Sequence, residues 1–423
     1  MIRSVMASAP GIGTVFRNGL GAAGANGFEM VLRAAYFILL TRALGPELYG
    51  IWSYALSVCG VLLALISGGL ETVVTAHSPT RDGEDDALLK KAVRIRVALS
   101  ALAALGMAGW ALGLGGSATE QVVLTIAATA LVGRGLALLL RSPFVARQQV
   151  DRSIAPILIA RSAEVLTGIA LLTVGAPLPL LVALHSLCWF VEALLLGRRL
   201  QFGSRKTTAQ PPAPATGDLL RRGLPIAILD LCSMILVSAP VVLFQPFAAS
   251  FADIGQLAVA TQLGAIALAL AFAFLTSALP ALSRTPLSDR RRRWTYAFGI
   301  AAAAALAIVL VQLLYDPVAR PVLAAIFGER YDLAANITYY ALMAACFAIM
   351  PHGFLQVLLV DRTLGPIVLA SVAISLALAV WFVLTGASMV AVEAQIAALV
   401  AWMVRAAAIM VLGAIGIARA GRA

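Results

Sequence analysis

Long apolar runs alternate with short polar connections along the whole chain. Twelve of the runs are about 20 residues or longer, enough for a helix rising 1.5 Å per residue to cross a hydrocarbon core of about 30 Å. The runs lie near residues 14–40, 50–76, 92–115, 121–140, 154–174, 178–196, 219–247, 254–279, 294–314, 333–360, 364–384 and 389–418. A β-barrel would instead alternate polar and apolar residues in segments of about 10. The pattern predicts an all-α integral membrane protein with about twelve transmembrane helices.

Composition excludes an ordinary soluble protein. Of the 423 residues, 61% are hydrophobic and 12% are charged, whereas soluble domains average about 25% charged. The four cysteines, Cys59, Cys188, Cys232 and Cys346, each lie alone in an apolar run, without the spacing of a metal site. We therefore expect no bound metal and no other cofactor.

The positions of the basic residues predict the orientation. If the N-terminus is cytoplasmic, 24 of the 31 Lys and Arg residues fall in cytoplasmic segments, and three fall in the opposite loops. Cytoplasmic connections carry the basic excess in membrane proteins. We therefore expect both termini to be cytoplasmic, in a multi-pass protein of the plasma (inner) membrane.

The net charge of +11 also raises the question of a nucleic-acid partner. Most of the positive charge is accounted for by the topology. The densest run, Arg290 to Arg293, lies in a predicted cytoplasmic connection, where it suits an anchor against anionic lipid headgroups. Membrane lipids are therefore an expected partner, and nucleic acid is not.

A polar connection divides the chain into two halves of six helices. Residues 201–217 are rich in Pro, Ala and Thr, and they separate a predicted N-terminal lobe, 1–200, from a C-terminal lobe, 218–423. A weak internal similarity supports the division, because Gly50 precedes Ala55 at the start of the second run as Gly255 precedes Ala260 at the start of the eighth. Both halves start on the same side, so any repeat is a parallel one.

Charged residues inside the predicted spans are the candidate functional residues. Such charges are costly in lipid, and they are expected to face protein or water. Glu29 and Arg33 are four residues apart on the first helix, and Arg161 and Glu164 are three apart on the fifth, so each pair shares a helix face. Each pair is either a structural ion pair or part of a polar cavity.

Three further charged residues lie inside the predicted spans. Arg134 lies close enough to the cytoplasmic end of its helix for its side chain to reach the interface. Arg405 has no acidic residue three or four positions away, and Asp230 on the seventh helix is a candidate partner. Arg405 and Asp230 are therefore open to a cavity or coupling role, or to a structural bridge.

The remaining polar residues of the spans have simpler interpretations. His185 and His352 are expected to be hydrogen-bonded packing residues, and Glu71 and Glu192 are expected to be exposed at the cytoplasmic interface. Prolines inside the spans tend to kink a helix and can serve as hinges. They are Pro225, Pro240 and Pro351.

Three segments of the chain carry a family resemblance: Arg42 to Gly50, Ser67 to Leu70 and Phe327 to Tyr331. They resemble the oligosaccharide flippases, the Wzx-like polysaccharide transport proteins of the multidrug/oligosaccharidyl-lipid/polysaccharide (MOP) exporter superfamily. The helix count and the basic linker fit this family as well. The resemblance implies two six-helix lobes around a central cavity, and alternating access. It also implies transfer of an undecaprenyl-pyrophosphate-linked oligosaccharide from the inner to the outer leaflet.

Applied to this sequence, that function gives the intramembrane charges their roles. The arginines, whose fixed fork of donors matches phosphate oxygens, would bind the lipid phosphate; they are Arg33, Arg134, Arg161 and Arg405. The acids would tune the charge or couple transport to H⁺ or Na⁺; they are Glu29, Glu164 and Asp230.

Two alternatives belong to other functional classes. A membrane-embedded glycan polymerase or glycosyltransferase would need a larger extramembrane region, and no nucleophile or nucleotide-binding motif is present, so we expect no catalytic residues. An ion-coupled multidrug exporter of the same superfamily would share the lobes. Four deep arginines against three acids give a net charge of +1, which favours an anionic substrate over a cationic drug.

Overall fold

The protein is described by a computed structural model that covers residues 12–77, 86–113, 116–147, 149–200, 216–283, 290–360 and 364–420. For residues 12–31 the description is limited to the backbone. All regular structure in these ranges is helical. We number the helices α1 (12–44), α2 (46–67), α3 (Leu70–His77), α4 (Asp86–Gly113), α5 (Ala118–Ala146), α6 (Val150–Thr173), α7 (Leu178–Arg199), α8 (Thr216–Val242), α9 (Phe251–Ser283), α10 (Arg290–Leu314), α11 (Arg320–Phe327), α12 (Asp332–Ile349), α13 (His352–Val360), α14 (Gly365–Thr385) and α15 (Ala391–Ala420).

The helices confirm the predicted architecture. Eleven segments of the described chain are long and apolar enough to cross a membrane, judged by length and composition. One of them, Leu32–Ser67, is broken at Gly45, where φ is 70° and ψ is 173°. Glycine adopts this positive φ without a Cβ clash, and Pro46 suits the first position of the next helix. The break separates α1 from α2 and brings the number of spans to twelve, as predicted.

Two predicted spans consist of two helices each. Gly68 and Gly69 both have positive φ and separate α2 from α3. A turn at Met350 and Pro351 separates α12 from α13, as expected of a proline inside a span. By contrast, α8 is assigned as one helix through both Pro225 and Pro240.

The chain forms two compact units. The first comprises the chain up to Leu40 together with Ile66–Gly223, and the second comprises Thr41–Leu65 together with Leu224–Ala423. Most of α2 therefore packs with the second unit. The predicted linker lies largely outside the described residues, and the lobe boundaries at 200 and 218 stay a prediction.

In the first unit, α5 is the central helix. It packs against α4 on one side and α7 on another, and α6 packs against α7. The core includes Leu139, Phe144, Trp189 and Leu196, all of them buried. Tyr36 on α1 packs against Gly168 on α6, where a Cβ would lie 2.4 Å from the tyrosine oxygen. This arrangement places one face of α5, α6 and α7 around Trp189.

In the second unit, α12 packs against α9 and α15, and α10 packs against α12 and α13. The turn between α1 and α2 is held to the connection between α10 and α12. Arg42 donates to the carbonyl of Ala325 at 2.8 Å, and the Tyr331 hydroxyl donates to the carbonyl of Thr41 at 3.0 Å. Two of the three segments that carry the family resemblance therefore hydrogen-bond to each other.

Candidate substrate site

Four arginines surround the indole ring of Trp189 in the first unit. Their guanidinium carbons lie 3.9 Å (Arg161), 5.3 Å (Arg134), 5.9 Å (Arg33) and 6.0 Å (Arg141) from the ring centroid. Cations within about 6 Å of an aromatic face are attracted by its quadrupole. We call this group, Arg33, Arg134, Arg141 and Arg161 around Trp189, the arginine cluster.

Two glutamates accept hydrogen bonds from arginines of the cluster. Glu192 accepts hydrogen bonds from Arg141, whose Nε lies 2.9 Å from Oε1, and from Arg161, whose Nη2 lies 3.1 Å from Oε2. Arg161 also donates through Nη1 to Glu164, one turn away on α6. Arg161 and Glu164 therefore form an ion pair, and it is part of a larger network.

A histidine extends the network from Glu164 back to the tryptophan. The Nδ1 atom of His185 lies 2.5 Å from Oε1 of Glu164, and the Trp189 indole N–H donates to His185 Nε2 at 3.1 Å. The two rings meet edge to face. One continuous chain of polar contacts thus runs from Trp189 through His185, Glu164, Arg161 and Glu192 to Arg141.

Helix geometry explains why these residues meet. His185, Trp189 and Glu192 are spaced by four and three residues on α7, so they lie on one face. Arg134 and Arg141 are seven residues apart on α5 and also share a face. Because α7 packs against both α5 and α6, the three polar faces converge.

The cluster is buried on one side and accessible on the other. The side chains of Arg161 and Glu192 are 2% and 0% exposed, whereas that of Arg141 is 26% exposed and Arg33 is exposed. Four arginines against two glutamates give these six side chains a net charge of +2 with His185 neutral. Fixed guanidinium forks in apolar surroundings suit recognition of a phosphate or carboxylate group.

The structure brings together four of the seven predicted site residues. Arg33, Arg134, Arg161 and Glu164 all belong to the arginine cluster or contact it. The side chain of Glu29 lies outside the described part of the chain, so the predicted ion pair of Glu29 and Arg33 stays a prediction. The other two residues, Arg405 and Asp230, belong to the second unit.

Arg405 lies on α15 and is 3% exposed. Its Nε donates to the Ser371 hydroxyl on α14 at 3.2 Å, and its Nη2 lies 3.5 Å from the Leu229 carbonyl on α8. Its guanidinium carbon lies 5.1 Å from the ring centroid of Trp402. The predicted partner Asp230 follows Leu229 in sequence and is exposed. Arg405 thus connects three helices, and both proposed roles, a structural bridge and a cavity contact, stay open.

Sequence reasoning was wrong about the exposure of one residue of the site. Glu192 was expected at the cytoplasmic interface, but it is fully buried between Arg141 and Arg161. Arg141 is one of the basic residues predicted to be cytoplasmic, and the structure shows its contacts with Glu192 and Trp189. The signal that was available is the polar stripe of His185, Trp189 and Glu192 along an otherwise apolar helix, because such a stripe needs a polar partner inside a membrane protein.

Within the described residues, no group of three His, Cys, Asp or Glu side chains could hold a metal ion. A groove of about 570 Å³ lies between α14 and α15, and Leu378, Trp381 and Val400 are among the residues that line it. Glu393 is the one charged residue of that lining. The groove therefore lacks the positive charge that distinguishes the arginine cluster.

Comparison with known proteins identifies the family. Residues 15–286, well over half of the chain, match the family described as polysaccharide biosynthesis protein. The chain belongs to this family. The match covers all of the described residues of the arginine cluster. None of the curated proteins matches the chain.

Solved structures similar to this member of the family share its fold. An inward-facing MATE-family multidrug resistance transporter of the MOP superfamily superposes with a TM-score of 0.68 and 14% identity, over 93% of this chain and 96% of that one. The lipid II flippase MurJ, in an inward closed conformation, gives a TM-score of 0.58 and 12% identity over 95% and 90%. An outward-facing MATE transporter gives a TM-score of 0.58 and 16% identity over 96% of each chain. At these identities the similarity establishes a MATE- and MurJ-like fold.

Proposed function

We propose that this protein is a transporter of the inner membrane that moves a lipid-linked, anionic oligosaccharide between the leaflets by alternating access. The substrate class is a polyprenyl-pyrophosphate-linked sugar, used in polysaccharide biosynthesis. Membership of the polysaccharide biosynthesis protein family and the MATE- and MurJ-like fold support transport. The observation that carries the substrate class is the arginine cluster.

The cluster has the properties that a pyrophosphate headgroup requires. Its six ionisable side chains carry a net charge of +2, and its exposed edge is formed by Arg33 and Arg141. Arg161 and Trp189 are buried, so the positive field is exerted in apolar surroundings where screening by water is weak. In the proposed site Arg33, Arg134 and Arg161 contact the phosphates, and Glu164 tunes their charge and links transport to an ion, H⁺ or Na⁺.

In the second unit, Arg405 and Asp230 are proposed to have a cavity or coupling role. The buried guanidinium of Arg405, held by Ser371 and Leu229, is the feature that supports it. Glu29 stays a proposed partner of Arg33.

Transport assays on the charged edge of the cluster test this function. The full-length protein is reconstituted in liposomes that contain a fluorescent, short-chain polyprenyl pyrophosphate linked to a sugar, and transfer between leaflets is followed by chemical quenching. We expect the double variant Arg33→Gln, Arg134→Gln to lose at least about tenfold in rate, because each arginine supplies a charge-assisted contact. Arg198→Gln, at an exposed position near the end of α7, is the matched control and is expected to transport normally.

The same liposomes distinguish the second candidate, an ion-coupled multidrug exporter. The TM-score to a MATE transporter favours that candidate, whereas the positive charge of the arginine cluster disfavours a cationic drug. Transport of ethidium without transfer of the lipid-linked sugar would replace the proposed function by drug export. Equal lipid transfer by wild type and the double variant would remove the cluster from the substrate path.

A further inference from the structure

The two ring nitrogens of His185 have different hydrogen-bonding roles in the polar network. The indole N–H of Trp189 is only a donor, so the His185 Nε2 that it reaches must be an acceptor. The proton of the neutral imidazole is therefore on Nδ1, from which it is donated to Glu164. These two hydrogen bonds are those of an imidazole that donates through Nδ1 and accepts through Nε2.

A proton on Nε2 would change two contacts at once. Both ring nitrogens would then be donors, so the hydrogen bond from the Trp189 N–H would be lost. The imidazolium would also bind Glu164 more strongly, in competition with Arg161, which donates to the other oxygen of the same carboxylate. Protonation therefore loosens Arg161 from Glu164 and adds one positive charge.

The helices packed around His185 carry more arginines than acidic residues near it. The charged and titratable groups on these helices are Arg33 and Tyr36 on α1, Arg134 and Arg141 on α5, Arg161 and Glu164 on α6, and Cys188 and Glu192 on α7. Two of these groups, Glu164 and Glu192, are carboxylates, and Glu164 contacts the imidazole directly. Because Glu164 contacts both His185 and Arg161, it connects the histidine to the arginine cluster.

We propose that His185 is the proton-binding group of the arginine cluster, and that its protonation raises the affinity of the cluster for a diphosphate group by releasing Arg161 from Glu164. This inference rests on the proposed function, since it assigns the proton as the ion linked to the same site. Histidine is the side chain that ordinarily changes charge between about pH 5 and 8. By linkage, a bound diphosphate favours proton uptake by the same factor.

Binding of geranyl diphosphate to the purified full-length protein, measured by calorimetry at about pH 5.5 and about pH 8, tests the inference. We expect the wild type to bind about tenfold more tightly at the lower pH, within the usual range of coupling between two sites. His185→Gln is expected to show little change, because its amide can accept from Trp189 and donate to Glu164 without titrating. His352→Gln is the matched control, since His352 lies inside a span of the second unit, where its ring contacts that of Phe272.

A second measurement reports the proton without any ligand. Protonation of His185 breaks the Trp189 hydrogen bond, so the intrinsic fluorescence of the wild type should change with pH. Both His185→Gln and Trp189→Phe should lack that component. His185→Asn offers a second neutral amide if the glutamine variant is not monodisperse.

The two measurements separate the inference from the function on which it rests. If His185→Gln keeps the pH dependence of binding, or if the fluorescence change persists in it, His185 is not the proton-binding group. If the wild type binds no geranyl diphosphate at either pH while the fluorescence change depends on His185, the histidine titrates as proposed and the anionic substrate is refuted. Titration of the ligand itself is common to all the variants and cancels in their comparison.

Discussion

At the residue scale, Glu192 is the side chain that holds the arginine cluster together. It is 0% exposed, and its two oxygens accept from arginines on two different helices, Arg141 on α5 and Arg161 on α6. A buried carboxylate in this position removes much of the repulsion between the two guanidinium groups. Its loss would leave buried charge uncompensated.

Replacing Glu192 tests this role. We expect Glu192→Ala to lower the free energy of unfolding by about 3 to 5 kcal/mol, the usual cost of breaking a buried ion pair on one side. Glu192→Gln keeps an acceptor oxygen and should cost less. The measurement is the thermal unfolding midpoint of the purified protein in detergent. Glu329→Ala, at an exposed position, is the control, and equal midpoints for it and Glu192→Ala would contradict the proposed role.

The site was only partly predictable from single residues. The spacing of Arg161 and Glu164, three apart on one helix, predicts a shared helix face, and the two side chains form an ion pair there. The partners of Arg161 on α7 could not be derived from spacing, because they depend on which helices pack together. The same limit explains the error at Glu192, whose position near the end of a span says nothing about the neighbouring helix that buries it.

At the element scale, the crossing of α2 and α9 depends on two glycines. A Cβ on Gly50 would lie 1.9 Å from the Phe251 carbonyl oxygen, and a Cβ on Gly255 would lie 2.0 Å from the Pro46 carbonyl oxygen. Each glycine thus meets the carbonyl four residues before the other. These are the two glycines of the internal similarity, so the repeated sequence pattern corresponds to a reciprocal helix contact.

An added methyl group at this crossing should be costly. We expect Gly50→Ala to destabilise the protein by about 1 to 3 kcal/mol, because backbone atoms must move to admit the Cβ. Gly60→Ala, on the same helix, is the matched control, since its Cβ would meet only the flexible end of the Met234 side chain. The thermal unfolding midpoints of the two variants are compared. A larger loss for Gly60→Ala would show that the crossing tolerates a methyl group.

Hydropathy predicted the existence of the spans better than their continuity. The twelve apolar runs correspond to the observed spans, and the break at Gly45 lies between the first two runs. The break between α2 and α3 was not, because Gly68 and Gly69 are apolar enough to continue a run while their positive φ ends the helix. The hydropathy of a residue gives no information about its backbone conformation.

At the scale of the whole molecule, the distribution of basic residues predicts an orientation in the membrane, which the helices alone do not. With an even number of spans, we expect the two ends of the chain to lie on the same side of the membrane. The 24 Lys and Arg residues on that side, against three on the other, predict that it is the cytoplasmic one. The connection that contains α11 is then predicted to face outward, as is the turn at Gly45.

Labelling of introduced cysteines in intact cells tests this orientation. The four native cysteines are all buried, so a membrane-impermeant maleimide should react mainly with a new one. We expect Ser250→Cys, exposed between α8 and α9, to be labelled from outside the cell. Ser204→Cys, in the predicted cytoplasmic linker, should be labelled only after permeabilisation. The reverse pattern would invert the topology. It would also place Arg42, Arg320 and Arg330, the three basic residues of the opposite loops, on the cytoplasmic side, and would contradict the argument from charge.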